Sequence, residues 1–349
     1  MAVFTLIVVR PFRSSSMSLR PFFATRRGWT LSLLATLACG IAPIAHAQAL
    51  AWPALPIKLV SPWPAGGSND TFSRLLATRL TTSLGQPVVV DNRPGATGTL
   101  GVSQVARAPA DGYTLVMGSS PTHATAPSIY PQLSYNPIRD FAPVTLVGSS
   151  ANVLVVHPSL PVRSVSELIT LARSQPGKLS YASAGNGSSQ HLSAELFNAM
   201  AGVQMLHVPY KGAAPAITDI VAGHVSLGFH NMVDVLPHVK AGTLRLIAVT
   251  SAKRSKALPD APTIAESGVP GYQAEVWFGV FAPAQTPRPI VDRLHREFTQ
   301  ALAEPEVRGK FDAAGLEVVG SGPEAFARYL QEEVTKWSDI VRRADVKPN

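Results

Sequence analysis

The sequence predicts an α/β protein with two lobes, because short apolar strands alternate with amphipathic helices along most of its 349 residues. Two strand–glycine loop–helix units, beginning near residues 57 and 179, are the strongest of these signals. Two β-rich stretches, at 144–156 and 272–282, are candidates for strands that cross between the lobes. A pair of crossing strands is the kind of hinge about which two lobes close.

The individual elements are predicted from hydrophobic period and from turn residues, in order along the chain. In the first half, strands are predicted at 57–60, 88–90 and 114–118, and helices at 69–84 and 100–106. In the second half, strands are predicted at 179–182, 204–208, 225–229 and 244–250, and helices at 190–200, 215–222 and 235–241. Further helices are predicted at 289–303, at 305–314 and from 324 onwards. Because this last third is expected to return to the first lobe, lobe 1 is predicted to comprise 55–150 and 275–349, and lobe 2 to comprise 151–274.

The first 47 residues have the organisation of a cleavable secretory signal. Arg26 and Arg27 precede an apolar run at 29–44, and a small-x-small site follows it, so cleavage is predicted after Ala47. The run is shorter than the ~20 residues that a membrane-spanning helix needs. The mature chain is therefore expected to be exported to the periplasm. Two alternatives stay open: the segment TRRGW at 25–29 also fits twin-arginine export, and Met17 also fits as the true start.

Charge and cysteine content exclude several classes of function. The formal net charge is +8, but five of the 30 basic residues lie in the leader, which leaves 25 basic against 22 acidic residues. A dedicated nucleic-acid surface is therefore not indicated. The single cysteine, Cys39, also lies in the leader, so the mature chain has no disulfide framework, thiolate metal site or cysteine nucleophile.

The two glycine-rich loops, at 62–68 and 183–189, carry the main functional prediction. Each loop ends a predicted strand and begins a predicted helix, where the first backbone amides have no partner within the helix. The helix dipole adds partial positive charge, and glycine lets a ligand approach the backbone closely. Such a terminus holds a phosphate or a carboxylate. Two of them on facing lobes are expected to grip the two ends of a small acid, although each loop alone also fits a simple tight turn.

Catalytic, nucleotide and metal motifs are absent from the sequence. It contains no Gly-x-Ser-x-Gly nucleophile elbow and no His-Glu-x-x-His zinc motif. The run Gly185-Asn186-Gly187 lacks the third glycine of the dinucleotide fingerprint, because Gln190 occupies that position. No cofactor, metal or catalytic residue is therefore predicted.

Several polar and aromatic residues keep two interpretations at this point. Asp70 is either a cap of its own helix or a ligand contact, and His191 and His230 are either packing residues or donors in a cleft. The pair Trp277-Phe278 is either core at the hinge or an aromatic wall of the binding site.

Six segments occur in the order found in one known family. They are PWPAGGSND at 62–70, VDNRPGA-x-G at 90–98, DGYTL at 111–115, DFAPV at 140–144, VPYKG at 208–212 and WFG at 277–279. These segments closely resemble the signature motifs of the Bug receptors, which are the extracytoplasmic solute-binding components of tripartite tricarboxylate transporters. The resemblance covers essentially all of residues 55–345.

The resemblance implies a two-lobed type II periplasmic-binding-protein fold that closes on a small carboxylate and has no enzymatic activity. It implies that a ligand carboxylate is held through the backbone of the first loop and that the opposite lobe and one strand end complete the pocket. The residues that take these roles by resemblance, or stand beside them in the same segments, are Trp63, Ala65, Gly66, Gly67, Asp70, Ser119, Ser120, His123, Ser183, Gly187, Ser188, Ser189, Tyr210, His230 and Asn231.

One position departs from the family pattern. Family members often carry Phe-Asp-Asn where this chain has Phe229-His230-Asn231. Loss of that acidic residue removes a partner for a ligand ammonium group, so the ligand is expected to be a plain or aromatic acid rather than an amino acid.

The sequence therefore predicts a monomeric exported receptor that captures a carboxylate for the membrane subunits of a tripartite tricarboxylate transporter. A sensor or signalling receptor with the same fold is one alternative. An exported hydrolase that uses Asp70 or a histidine is the other.

Overall fold

The computed structural model describes residues 52–343, so the leader predicted at 1–47 lies outside the described residues. Within this range the strands are β1 Ile57–Ser61, β2 Val88–Asn92, β3 Thr114–Ser119, β4 Phe141–Val156, β5 Ser180–Ser183, β6 Leu206–Pro209, β7 Leu227–Asn231, β8 Arg245–Val249, β9 Glu275–Pro283 and β10 Leu316–Ser321. The helices are α1 Ser68–Leu84, α2 Thr99–Ala106, α3 Ala126–Ile129, α4 Val165–Ser174, α5 Ser189–Ala201, α6 Ala213–Val221, α7 Met232–Lys240, α8 Arg288–Ala303, α9 Pro305–Ala313 and α10 Pro323–Arg343.

The strands follow the order β2-β1-β3-β9-β4-β7-β5-β6, and β8 and β10 also pair with β4. The 16-residue strand β4 joins the two halves. Its residues up to Ala151 pair with β9 and β10, whereas those from Asn152 onwards pair with β7 and β8. The β1–β2, β1–β3, β5–β6 and β5–β7 pairs are parallel, as the strand–helix–strand units predicted.

Strand β9 is the second crossing segment. Just before it, the backbone amide of Ala274 donates to Thr250 O (2.9 Å) in the second half, whereas β9 itself pairs with β3 and β4 in the first. Two lobes connected by β4 and by the entry to β9 confirm the predicted fold class, a two-lobed α/β protein with two crossing strands.

Each lobe has its own apolar core on both faces of its part of the sheet. Helix α1 illustrates why the sequence folds this way, because Phe72, Leu76 and Leu80 recur every four residues and are all buried against lobe 1. The ring of Phe72 meets that of Phe278 on β9 edge to face, with centroids 5.1 Å apart. This packing fixes the start of α1 beside a crossing strand.

Several elements were not predicted. The stretch 157–178 contains α4, although Ser164 and Glu167 form a capping pair that is visible in the sequence: Glu167 N donates to Ser164 Oγ (3.2 Å) and Arg163 N to Glu167 Oε2 (2.6 Å). Strand β10 and the helical turns at 121–129 were also missed. The predicted elements are present, with ends that differ by one to three residues.

Candidate functional site

A cavity opens between the two lobes, where the loops that follow β1, β3 and β5 meet α6, α7 and β9. It encloses about 540 Å³ of space free of protein atoms, its open mouth included. The lining residues are Trp63, Pro64, Ala65, Gly67, Ser68, Asn69, Ser119, Pro121, Ala184, Ser189, Gln190, Gly212, Ala213, Ala214, Pro215, Asp234, Val276 and Phe278. Both predicted glycine-rich loops therefore contribute to one cleft.

The start of α1 lies in this cleft without a capping side chain. Its N-cap is Gly67, in an extended conformation, so the N-cap residue has no side chain that could accept from the first-turn amides. Gly66 has φ +85°, a left-handed value that favours glycine. Asn69 holds the start in place, because its Oδ1 accepts from Ser61 Oγ (2.8 Å) and its Nδ2 donates to Met117 O (2.9 Å). The geometry leaves this helix terminus open to an anion in the cleft.

Asp70 supports the loop rather than lining the cavity. Its carboxylate accepts from Gly66 N (2.9 Å) and from Asn92 Nδ2 (2.9 Å), and it pairs with Arg74 (2.9 Å). Burial works to raise the pKa of Asp70, but hydrogen bonds from Arg74, Gly66 and Asn92 together hold it below its ordinary value. Asp70 is thus a fixed anion whose contacts shape the loop before α1, a role that differs from both the helix cap and the ligand contact considered from the sequence.

The end of β3 supplies one polar group to the cavity. Ser119 lines the cleft, is 1% exposed, and its Oγ has no hydrogen-bond partner. Ser120 and His123 are buried but do not line it. The His123 ring stacks on Phe281 with centroids 4.1 Å apart, and burial lowers its pKa to about 3. His123 is therefore a neutral core residue.

The second glycine-rich loop is largely satisfied by its own side chains. Gly185 N donates to Ser183 Oγ (3.1 Å) and Gly187 N donates to His191 Nδ1 (3.0 Å). Ser188 caps α5, because its Oγ accepts from His191 N (3.3 Å). Only Ser189, among the predicted residues of this loop, lines the cavity. The two helix starts predicted to grip a ligand therefore differ: α1 is open, and α5 already carries a cap.

The remaining predicted residues lie at the mouth, in the core and between the lobes. Tyr210 lines a wider opening beside the cavity, and its hydroxyl donates to Asp219 Oδ2 (2.5 Å). His230 is fully buried and does not line the cavity. Asn231 bridges the lobes, since its Nδ2 donates to Ser68 Oγ (2.5 Å).

The placement of His230 removes the basis for the expectation that the ligand lacks an amine. That expectation rested on the side chain at this position facing the ligand, and the structure places it in the core. The cleft has an acidic residue elsewhere: Asp234, in the first turn of α7, lines the cavity. Sequence reasoning missed Asp234, because an acid in a first helical turn is also what the helix dipole alone favours.

Other contacts hold the lobes together near the mouth. Thr97 Oγ1 donates to Asn186 O (2.5 Å), and Tyr130 OH also donates to Asn186 O (3.4 Å). With the Asn231–Ser68 bond, these contacts give the protein the closed arrangement of its lobes.

Two hinged lobes that close around a small cleft define a solute-binding receptor. The family model "Tripartite tricarboxylate transporter family receptor" matches residues 72–346, so the chain belongs to that family. The family and its solved members are solute-binding receptors rather than enzymes. Between β1 and α10, none of the described helices is long and apolar enough to cross a membrane.

Three solved structures are similar along nearly their whole length. Rpa4515 from R. palustris, described with adipate, is 41% identical, with 85% of this chain and 100% of that chain covered and a TM-score of 0.83. The periplasmic binding protein BugD is 35% identical, with 85% and 99% covered and a TM-score of 0.81. MatC from Rhodopseudomonas palustris, described with bound malate, is 34% identical, with 83% and 100% covered and a TM-score of 0.79.

Proposed function

We propose that this protein is an exported periplasmic receptor that captures a small carboxylate between its lobes and delivers it to a tripartite tricarboxylate-type transporter. The leader at 1–47 would direct its export, and the lobes would divide at 55–150 with 275–349 and at 151–274. Adipate and malate, the ligands described for Rpa4515 and MatC, indicate the class of acid.

The observation that carries the proposal is the open start of α1 inside the interlobe cavity. Removing a carboxylate from water is costly unless several donors meet it. Gly67 supplies no capping side chain to the amides that follow it, and Ser119, whose Oγ has no hydrogen-bond partner, lines the same cavity. Ser189 and Gln190 of the second lobe line the same cavity. Because a ligand meets groups from both lobes only in the closed form, binding favours closure by the difference in affinity between the two forms.

The first experiment is calorimetric titration of the purified protein with adipate, malate, succinate, benzoate and aspartate, beside the variant Gly67→Val. A Cβ at Gly67 meets nothing closer than Pro64 O at 3.8 Å, and the backbone there is extended, so the fold should tolerate valine. The added side chain stands at a residue that lines the cavity, immediately before the first-turn amides. Loss of one hydrogen bond to a charged group corresponds to roughly a tenfold to hundredfold weaker binding.

The control is Gly309→Val, the same substitution at an exposed position on α9 where a Cβ meets no neighbour within 4 Å. We expect Gly309→Val to bind like the parent. Unchanged affinity in Gly67→Val would show that the ligand is anchored elsewhere, and no binding of any of these acids by the parent would contradict the proposed function.

A further inference from the structure

The cavity between the lobes contains one ionisable side chain, and it is acidic. Among its 18 lining residues the only charged type is Asp234, and none is lysine, arginine or histidine. Asp234 projects from the first turn of α7 in lobe 2, and Asn231 at the N-cap of that helix bridges to Ser68. A carboxylate ligand that enters this cavity therefore meets a second carboxyl group and no cation.

Asp234 also lies against the group that the ligand would use. The backbone amide of Ser68, the first residue of α1, and the side chain of Asn231 are near enough to the Asp234 carboxyl to act to lower its pKa. The carboxyl oxygen Oδ2 is buried and has no hydrogen-bond partner. Asp234 therefore lines the same cavity as the first residues of α1, and one of its carboxyl oxygens lacks a hydrogen-bond partner there.

The helices and strands packed on α7 supply no positive charge to offset two carboxylates, and Lys211 lines the wider opening beside the cavity rather than the cavity itself. Strand β4, which packs on α7, has no titratable side chain. On β7, burial lowers the pKa of His230 to about 4, so this residue is neutral at pH 7. On α6, Asp219 accepts a hydrogen bond from the Tyr210 hydroxyl. Across the cleft, Asp70 and Arg74 form an ion pair with each other.

The loop at 251–258, which packs against α7, carries basic residues that do not offset this charge either. Arg254 pairs with Glu266 (3.0 Å). Lys253 and Lys256 are exposed at the surface of that loop. None of these three residues lines the cavity. At the far end of α7, His238 and Lys240 lie in the last turn.

We propose, building on the function proposed above, that Asp234 is a specificity-determining residue that shares a proton with the bound carboxylate, so that the receptor takes up a proton when it binds. The proton comes from solvent, stays on the carboxyl pair, and forms the hydrogen bond that replaces like-charge repulsion. Two carboxyl groups in one site that excludes water retain a proton between them, because ionising both would place two negative charges side by side at a high cost in free energy.

The electrostatics of the cleft agree with this geometry. Burial raises the pKa of Asp234 from 3.8 to about 7, although the Ser68 amide and Asn231 lower it, and a ligand anion raises it further. The bound form then holds more protons than the open, solvated form. Affinity is therefore highest at low pH, where both forms carry the proton. As pH rises through the range in which only the bound form keeps the proton, the affinity falls by up to about tenfold per pH unit.

The test is calorimetric titration of the full-length mature protein with adipate and malate at pH 7, in two buffers with different enthalpies of protonation. Proton uptake appears as a difference in observed heat between the buffers, and we expect about half a proton or more per ligand. In Asp234→Asn, the uptake should fall to near zero. Asp260→Asn, which removes the same charge at an exposed site, should retain the parental uptake.

Each outcome decides between the proposals. Binding without proton uptake by the parent, or uptake that persists in Asp234→Asn, would overturn the role of Asp234 and leave the receptor function intact. Tight binding of aspartate without uptake would show instead that Asp234 is an ionised partner for an ammonium group. Failure of all the acids to bind would remove the receptor function and this inference with it. If Asp234→Asn does not fold, the proton count of the parent still decides.

Discussion

The hydrogen bond between Asn231 and Ser68 provides a direct test of how closure contributes to affinity. Asn231 Nδ2 donates to Ser68 Oγ (2.5 Å), and both residues are 5% exposed, so the bond connects the lobes in a nearly dry environment. A buried hydrogen bond contributes about 1 kcal/mol, which corresponds to roughly fivefold in an equilibrium constant. Because the bond exists only between closed lobes, its loss raises the free energy of the closed state.

The appropriate assay is a double-mutant cycle on ligand affinity, with Ser68→Ala, Asn231→Ala and the double variant titrated with the tightest-binding acid. Ser68→Ala leaves the backbone amide at the start of α1 unchanged. We expect each single variant to bind about fivefold or more weakly and the pair to show a coupling energy of about 1 kcal/mol. Asn198→Ala, which removes an amide from α5 away from the cavity, should bind like the parent. Strictly additive effects would refute the view that this bond closes the lobes.

Two further predictions concern stability. Buried Glu333 accepts hydrogen bonds from the indole N–H groups of Trp277 (3.0 Å) and Trp337 (2.9 Å). Glu333→Leu should therefore lower the free energy of unfolding, measured by urea denaturation, by about 2–4 kcal/mol. A loss below about 1 kcal/mol would contradict the stabilising role of these two bonds. Burial lowers the pKa of His191 to about 3, with a further contribution from His207, and burial lowers the pKa of His207 to about 4. Their contribution to stability is therefore full above about pH 6.5 and is lost as pH falls towards 4, because the unfolded chain binds protons first. His207→Asn should reduce the drop in unfolding free energy between pH 7 and pH 4.5, and an unchanged drop would count against this explanation.

Much of the fold could be predicted because its signals are local. The buried face of α1 repeats every four residues, and Gly85 ends the helix in a left-handed conformation, with φ +68°. Strand β4 was recognised by its long apolar run. Strand β10 was not, because only three of its six residues are hydrophobic and Gly320 interrupts it. Its pairing with β4 depends on residues more than 150 positions away.

The binding site was predicted less completely than the fold. The glycine pattern identified the loop before α1 correctly as part of the cleft, because the backbone itself faces the cavity. The loop before α5 has a similar pattern, but Ser188 and His191 satisfy its amides, and such contacts depend on side-chain orientation. Asp234 was missed because the helix dipole alone accounts for an acid at that position, and only the arrangement of the lobes brings α7 to the start of α1.

The central claim is that the main-chain amides at the start of α1 hold a ligand carboxylate between closed lobes. The most direct measurement is a crystal structure of the protein with adipate, or with the tightest-binding acid from the titrations. We predict a carboxylate within hydrogen-bond distance of the first-turn amides that follow Gly67, with Ser119 and Asp234 also in contact. A ligand bound in the closed cleft without any contact to these amides, or bound on the outer face of one lobe, would contradict the account.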